Sequence, residues 1–147
     1  MYAMDADYLP SIRVLRSMNR CPCYGACWAE CSPIIQNHGF NIPAGSTIQG
    51  VEVKVNSRVD SPTGSPRFCI LLSLDGGTTW TTAKTSATLS TAETVYILGA
   101  VTDAWGRTWT KTDFNDANFR VRLVMVASNT SRDFSLDWVG VQVRYTP

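Results

Sequence analysis

The sequence predicts an all-β protein, an antiparallel β-sandwich that follows an irregular Cys-rich N-terminal segment. From residue 40 onward, short apolar segments alternate with turn-forming residues, which is the pattern of a sandwich or a barrel. No long stretch shows the periodicity of an amphipathic helix. The composition, with 44% hydrophobic and 17% charged residues, is that of a globular domain.

The chain divides near residue 39 into two parts. Residues 1–38 form a Cys-rich leader or arm, which holds four of the five cysteines, the single histidine and no clear strand alternation. Residues 39–147 form the sandwich domain. A chain of 147 residues suffices for one such domain, and a second would be cramped.

Apolar alternation predicts a series of strands in the second part of the chain. The predicted strands cover residues 48–55, 68–74, 80–84, 93–98, 119–125 and 134–145. Residues 68–74 are apolar on both faces, as a central strand would be. In the last strand the apolar residues change parity, which predicts a β-bulge near Trp138. Thr110 and Asp113 have the spacing of a capping box, so one helical turn is expected there.

Charge and hydropathy argue against two classes of partner. The net charge is +1, from 13 basic and 12 acidic side chains, and no basic stripe is present to neutralise phosphates, so no nucleic acid is predicted. The longest apolar runs, such as residues 68–72, are far shorter than the ~20 residues of a membrane span. Residues 1–7 carry acids where a signal peptide would be basic. A virion component released at lysis, or a fragment, is therefore expected.

One segment has the pattern S-x-D-x-G-x-T-W. It resembles the Asp-box, a hairpin motif known from sialidases and other secreted β proteins, and comprises Ser73, Asp75, Gly77, Thr79 and Trp80. The carboxylate is expected to accept hydrogen bonds across the turn, the glycine to adopt a positive φ, and the tryptophan to pack beneath the hairpin. The motif occurs once, without the arginine cluster of a sialidase, so a structural hairpin is predicted.

The leader cysteines have the spacing C-x-C-x₃-C-x₃-C, and they are Cys21, Cys23, Cys27 and Cys31. Two disulfides or intersubunit bridges, a tetrahedral metal site and free thiols all remain open. Zinc modules usually pair their ligands as C-x₂-C, which this spacing does not match. Cys69 alternates into a strand and is expected to be inert packing.

Two tryptophans flank a glycine in residues 103–110. Trp105 and Trp109, together with Tyr96, are candidates for an aromatic platform that binds a sugar ring. The alternative is that the two indoles plug the open end of the sandwich. The plug is favoured, because five tryptophans in one small domain must mostly be buried.

Little in the sequence indicates catalysis. His38 is the only imidazole, and no motif surrounds a nucleophilic serine or cysteine. Residues 113–118 carry four oxygen-bearing side chains, for which cap and turn roles are favoured over a weak Ca²⁺ site. We therefore predict no enzyme activity and no cofactor.

Several motifs together resemble a known family. The matching segments are residues 39–53, which read GFNIPAGSTIQGVEV, and residues 103–110, 113–114, 118–122 and 136–145. They are similar to jelly-roll β-sandwich domains found in phage virion proteins and in large extracellular proteins of bacteria and archaea. The resemblance implies a sandwich of the jelly-roll type.

The resemblance covers residues 34–145, and it departs from the family upstream, where a Cys-rich stretch replaces a strand. The first edge of the sandwich is therefore expected to be covered by the leader or by a neighbouring subunit, or to stay open for pairing. We expect a non-enzymatic structural protein of a virion, as a capsid decoration or tail-associated subunit, or of a cell surface, with other protein subunits as partners. The alternative is an extracellular carbohydrate-binding or adhesion module with glycans as ligands.

Overall fold

The computed structural model describes residues 5–8, 12–18, 34–36, 39–128 and 132–147. These residues form β-strands and one short 3-10 helix, Lys111–Phe114. The strands are β1 (Asp5–Tyr8), β2 (Ile12–Met18), β3 (Ile34–Ile35), β4 (Thr47–Val59), β5 (Arg67–Ser73), β6 (Lys84–Thr85), β7 (Thr94–Ala100), β8 (Arg120–Val126) and β9 (Phe134–Thr146). No helix of the described residues is long and apolar enough to cross a membrane.

The strands form two antiparallel sheets. In the first sheet the order is β1, β9, β4 and β7, and β2 also pairs with β9. In the second sheet the order is β3, β8, β5 and β6. The strand pairs are antiparallel throughout. The prediction of an all-β antiparallel sandwich is confirmed.

The core lies between the two sheets and follows from the alternation of the strands. Val51, Val53 and Val55 of β4 point inward and are fully buried, while the residues between them are partly exposed. From the second sheet, Val121 and Leu123 of β8 join the same cluster. Burying each such side chain stabilises the fold by about 1.5–3 kcal/mol.

The central strand of the second sheet is buried on both faces, as predicted. Phe68, Ile70 and Leu72 of β5 enter the main core. On the opposite face, Cys69 and Val124 form part of a second buried cluster. The outer face of this sheet is therefore covered as well.

The predicted bulge in the last strand is present. Against β4, Trp138 pairs with Asn56 and Leu136 pairs with Ser57, so Asp137 is the extra residue of β9. The buried positions change parity at this point, from Leu136 to Val139. The bulge lies one residue before the predicted position.

The leader contributes strands to both sheets, which corrects the expectation that residues 1–38 lack them. β1 and β2 pair with β9, and β3 pairs with β8. The register of β2 shifts between Arg13 and Arg16, and this irregularity obscures the alternation from which a strand would be predicted. β9, which lies beside β4, is therefore covered on its other side by leader strands of the same chain, and β4 itself lies between β9 and β7.

The strand predicted over residues 80–84 is wrong. Only Lys84–Thr85 is a strand, because Thr81 bonds to β5 partly through its side chain. The Thr81 backbone N–H donates to the Leu72 carbonyl at 2.9 Å, and Leu72 N–H donates to Thr81 Oγ1 at 3.0 Å. A hydroxyl thus takes the place of a backbone acceptor, and the ladder does not continue.

Candidate functional site

The loop after β7 places both of its tryptophan rings inside the sandwich. Trp105 and Trp109 are 5% and 6% exposed. Trp105 Nε1 donates to the Val51 carbonyl at 2.7 Å, and Trp109 Nε1 donates to the Ala104 carbonyl at 2.8 Å. The ring centre of Trp109 lies 5.1 Å from that of Phe114. Both rings belong to the core, as the interpretation of a plug requires.

These contacts contradict the prediction of an aromatic platform on Trp105, Trp109 and Tyr96. Tyr96 is partly buried against the core, where its ring meets Phe68 edge-on with centres 6.0 Å apart. Its hydroxyl accepts a hydrogen bond from Ser90 N at 2.8 Å. Because these rings pack against the protein's own residues, the rings present no flat aromatic surface to a sugar.

Bonds to the Asp103 carboxylate hold this loop in place, although the backbone is strained at Trp105. Trp105 has φ 55°, a left-handed conformation that is uncommon for residues other than glycine. Asp103 accepts hydrogen bonds from Trp105 N at 2.8 Å and from Lys84 Nζ at 2.7 Å. The bond from Lys84 lowers the pKa of Asp103, although burial opposes this. The Lys84 ammonium also lies 5.1 Å from the Trp105 ring centre.

The Asp-box-like turn has the hydrogen bonds that its sequence predicts. Asp75 Oδ1 accepts from Thr79 N and from Ser73 Oγ, each at 2.8 Å, and Oδ2 accepts from Thr79 Oγ1 at 2.6 Å. These bonds, above all those from Thr79, lower the pKa of Asp75 to about 2. Gly77 has φ 92°, and a Cβ there would lie 3.3 Å from the Trp80 ring. The carboxylate is therefore engaged in local structure.

In the oxygen-rich segment, residues 113–118, side-chain oxygens accept hydrogen bonds from backbone N–H groups. Asp113 Oδ2 accepts from Thr110 N at 2.7 Å, which completes the predicted capping box. Asn115 Oδ1 accepts from Asn118 N at 2.7 Å. In the described residues, no three His, Cys, Asp or Glu side chains are grouped so that they could hold a metal ion.

The cysteines divide into two groups. His38 and the four leader cysteines, Cys21, Cys23, Cys27 and Cys31, lie outside the described residues, so the disulfide, metal and free-thiol interpretations stay predictions. Cys69, on the outer face of β5, is fully buried and disulfide-bonded, which corrects the expectation of inert packing. Strand alternation predicts the burial of this thiol but not its bonding.

A groove of about 450 Å³ opens beside Cys69. Its lining residues are Gly64, Ser65, Arg67, Cys69, Thr85, Val126, Ala127 and Ser128. Arg67 is the one charged side chain among the described lining residues. None of these residues is a His, Asp or Glu that could act as a base beside the hydroxyls of Ser65, Thr85 and Ser128.

The largest exposed apolar side chains of β7 lie on the outer face of the first sheet. Val95 is 45% and Ile97 is 56% exposed, while Leu98 between the sheets is buried. Sequence analysis predicted this strand but not its position at the edge of the sheet. The sequence does not give this position, because residues 95–98 are apolar at both parities, as in a central strand.

No protein-family model and no curated protein matches this chain. The resemblance of residues 34–145 to the jelly-roll domain family therefore stays a prediction. A function is therefore proposed from the contacts and surfaces of the chain itself.

Proposed function

We propose that this chain is a non-enzymatic structural subunit that works by packing against other protein subunits, in a virion or at a cell surface. The observation that carries the proposal is one edge of the first sheet. Among the described residues, β7 pairs there only with β4, and it exposes Val95 and Ile97. Open strands with exposed apolar residues are sites at which another chain can pair.

The strand order supports the finer assignment to the jelly-roll type. β2 pairs with β9, β3 with β8, β4 with β7 and β5 with β6, as in one long hairpin whose turn lies between β5 and β6. The additional pairs β9–β4 and β8–β5 roll this hairpin into two facing sheets. Jelly rolls occur in viral capsid proteins and in lectins, so the topology agrees with a structural role but does not by itself define one.

The disulfide at Cys69 supports a virion or extracellular location. Disulfides form and persist in oxidising environments and are rare in the cytosol. The bond is buried on the outer face of the second sheet, where it reinforces the sandwich. Such reinforcement suits a protein that works outside the cell.

The carboxylates that the sequence singles out support a role without catalysis. Asp75 and Asp113 accept hydrogen bonds within their own turns. Asp103 is paired with Lys84 and holds the tryptophan loop. The three aromatic residues of the carbohydrate-binding alternative, Trp105, Trp109 and Tyr96, are packed in the protein, which weighs against it.

Size-exclusion chromatography with multi-angle light scattering tests the proposal. We expect the molar mass of the eluting species to exceed that of one chain and to rise with the concentration applied. A single mass equal to that of one chain, up to millimolar concentration, would overturn the proposal of self-assembly.

A further inference from the structure

We propose that β7 is the assembly contact, and that it pairs antiparallel with β7 of a second copy across a two-fold axis. This inference rests on the proposed function and names the surface and the partner. The first sheet of one copy and the first sheet of the other would then form one continuous sheet.

Among the described residues, the backbone of β7 forms a ladder on one side only. Its ladder partner is β4, with Val51 opposite Ala100 and Ser57 opposite Thr94. Within the described part of the chain, one further backbone bond reaches β7, from Asp103 N to the Ala100 carbonyl. In an antiparallel ladder about half of the N–H and C=O groups face away from the partner. A row of donors and acceptors therefore faces outward along β7.

The composition of this strand leaves the edge unprotected. Proteins usually guard edges with lysines, prolines, bulges or very short strands. Residues 94–100, Thr-Val-Tyr-Ile-Leu-Gly-Ala, include no charge and no proline, and the register against β4 shows no bulge. The edge strands of the second sheet, β3 and β6, have two residues each and offer little to pair with.

The strand is complementary to itself. Antiparallel pairing centred on Ile97 places this residue opposite its own copy and Val95 opposite Gly99, so that the exposed side chains form one apolar stripe. No like charges meet along the strands, which would be unfavourable. On the adjacent strand, Glu52 and Lys54 carry opposite charges 3.6 Å apart, so these two residues add no net charge beside the stripe. Pairing of two copies of β7 therefore brings no charged residues of this strand together.

Such a contact is small. Two short strands and a pair of apolar side chains bury less than the ~1,200 Å² of a standard stable interface. We therefore expect weak, concentration-dependent dimers in solution. In an assembly with further contacts, the same pairing would be strengthened because the copies are held close together.

A matched pair of variants tests the contact by sedimentation velocity. Ile97→Lys adds a charge to the open edge, whereas Ile34→Lys adds one at an isoleucine of similar exposure, 53%, on the edge strand β3. We expect wild type and Ile34→Lys to associate as concentration rises, and Ile97→Lys to remain monomeric. Circular dichroism and thermal melting establish that each variant folds. Ile97→Thr, which keeps a β-branched side chain, replaces the lysine variant if that variant does not fold.

The failures of the two proposals are distinguishable. If Ile97→Lys associates as wild type does, or if only Ile34→Lys is monomeric, β7 is not the contact and the proposed assembly role still stands. If wild type is monomeric at all concentrations, both self-pairing and self-assembly are overturned.

Discussion

The indole Nε1 of Trp105 donates a 2.7 Å hydrogen bond to the carbonyl oxygen of Val51. The bond joins the loop after β7 to β4, and the Val51 backbone N–H in turn donates to the Asp103 carbonyl of the same loop at 2.9 Å. Gly99 lies directly against both groups: a Cβ on this residue would be 2.4 Å from the Val51 oxygen and 2.7 Å from Trp105 Nε1. The segment that resembles a binding loop in sequence is thus a structural clamp.

This geometry predicts different costs for two glycine substitutions. Gly99 and Gly106 both have positive φ, 77° and 69°, but the Cβ position of Gly106 has no neighbour within 4 Å. Gly106→Ala should cost about 1–2 kcal/mol of stability from backbone strain alone. Gly99→Ala should cost clearly more, because it also collides with Val51 and Trp105. Urea denaturation measures both, and equal costs would contradict the clamp.

Trp109 is predicted to stabilise the fold. Its ring packs against Phe114 and Phe119, with centres 5.1 and 6.1 Å away. Trp109→Ala should therefore lower the free energy of unfolding by about 3–5 kcal/mol, as truncation of a buried aromatic residue does. Chemical denaturation measures the loss. A variant as stable as wild type would restore the interpretation of an exposed ring available for ligands.

The Asp75 turn makes a pH-dependent contribution to stability. Hydrogen bonds from Thr79 and Ser73 lower the pKa of Asp75 from 3.8 to about 2. A carboxyl whose pKa is depressed in the folded state stabilises the protein above its unfolded pKa and loses this contribution as pH falls through the folded pKa. The difference in the free energy of unfolding between wild type and Asp75→Asn should therefore be largest above pH 3.8. It should decrease as the pH falls toward 2.

Thermal or urea unfolding of the two proteins across this range provides the measurement. The Asp75→Asn variant is the control for wild type, because its side chain does not titrate. A difference that is independent of pH would show that Asp75 is not held as a carboxylate by its neighbours.

The Cys69 disulfide is predicted to be present in the folded protein and to support it. Alkylation of the denatured, unreduced protein should leave Cys69 unmodified, and prior reduction should expose it to the reagent. Cys69→Ser should lower stability by about 2–4 kcal/mol. Peptide mass spectrometry reads the alkylation, and modification of Cys69 without a reductant would contradict the bond.

Much of the fold is predictable because the core strands alternate cleanly. Val51, Val53 and Val55 identify β4, and the change of parity before Val139 identifies the bulge of β9. The leader strands β1 to β3 escape prediction, because β2 is irregular and β3 is very short. Their pairing depends on contacts with β8 and β9, which are far away along the chain.

The candidate site is less predictable for a different reason. An exposed and a buried tryptophan look alike in sequence, and only the clamp on Val51 and Gly99 shows that Trp105 is internal. The open edge depends on the order of strands in the sheet. That order places Ile97 at a free edge, although its own segment would suit a central strand equally well.

The central claim is that the chain works through contacts at its open edge. Hydrogen–deuterium exchange at low and high protein concentration tests this claim most directly. Pairing between copies would protect the outward amides of β7, so exchange in the peptide covering residues 94–100 should slow as concentration rises. Peptides from the central strands β5 and β9 should be unchanged. If no peptide changes while the concentration spans micromolar to millimolar, the account is contradicted.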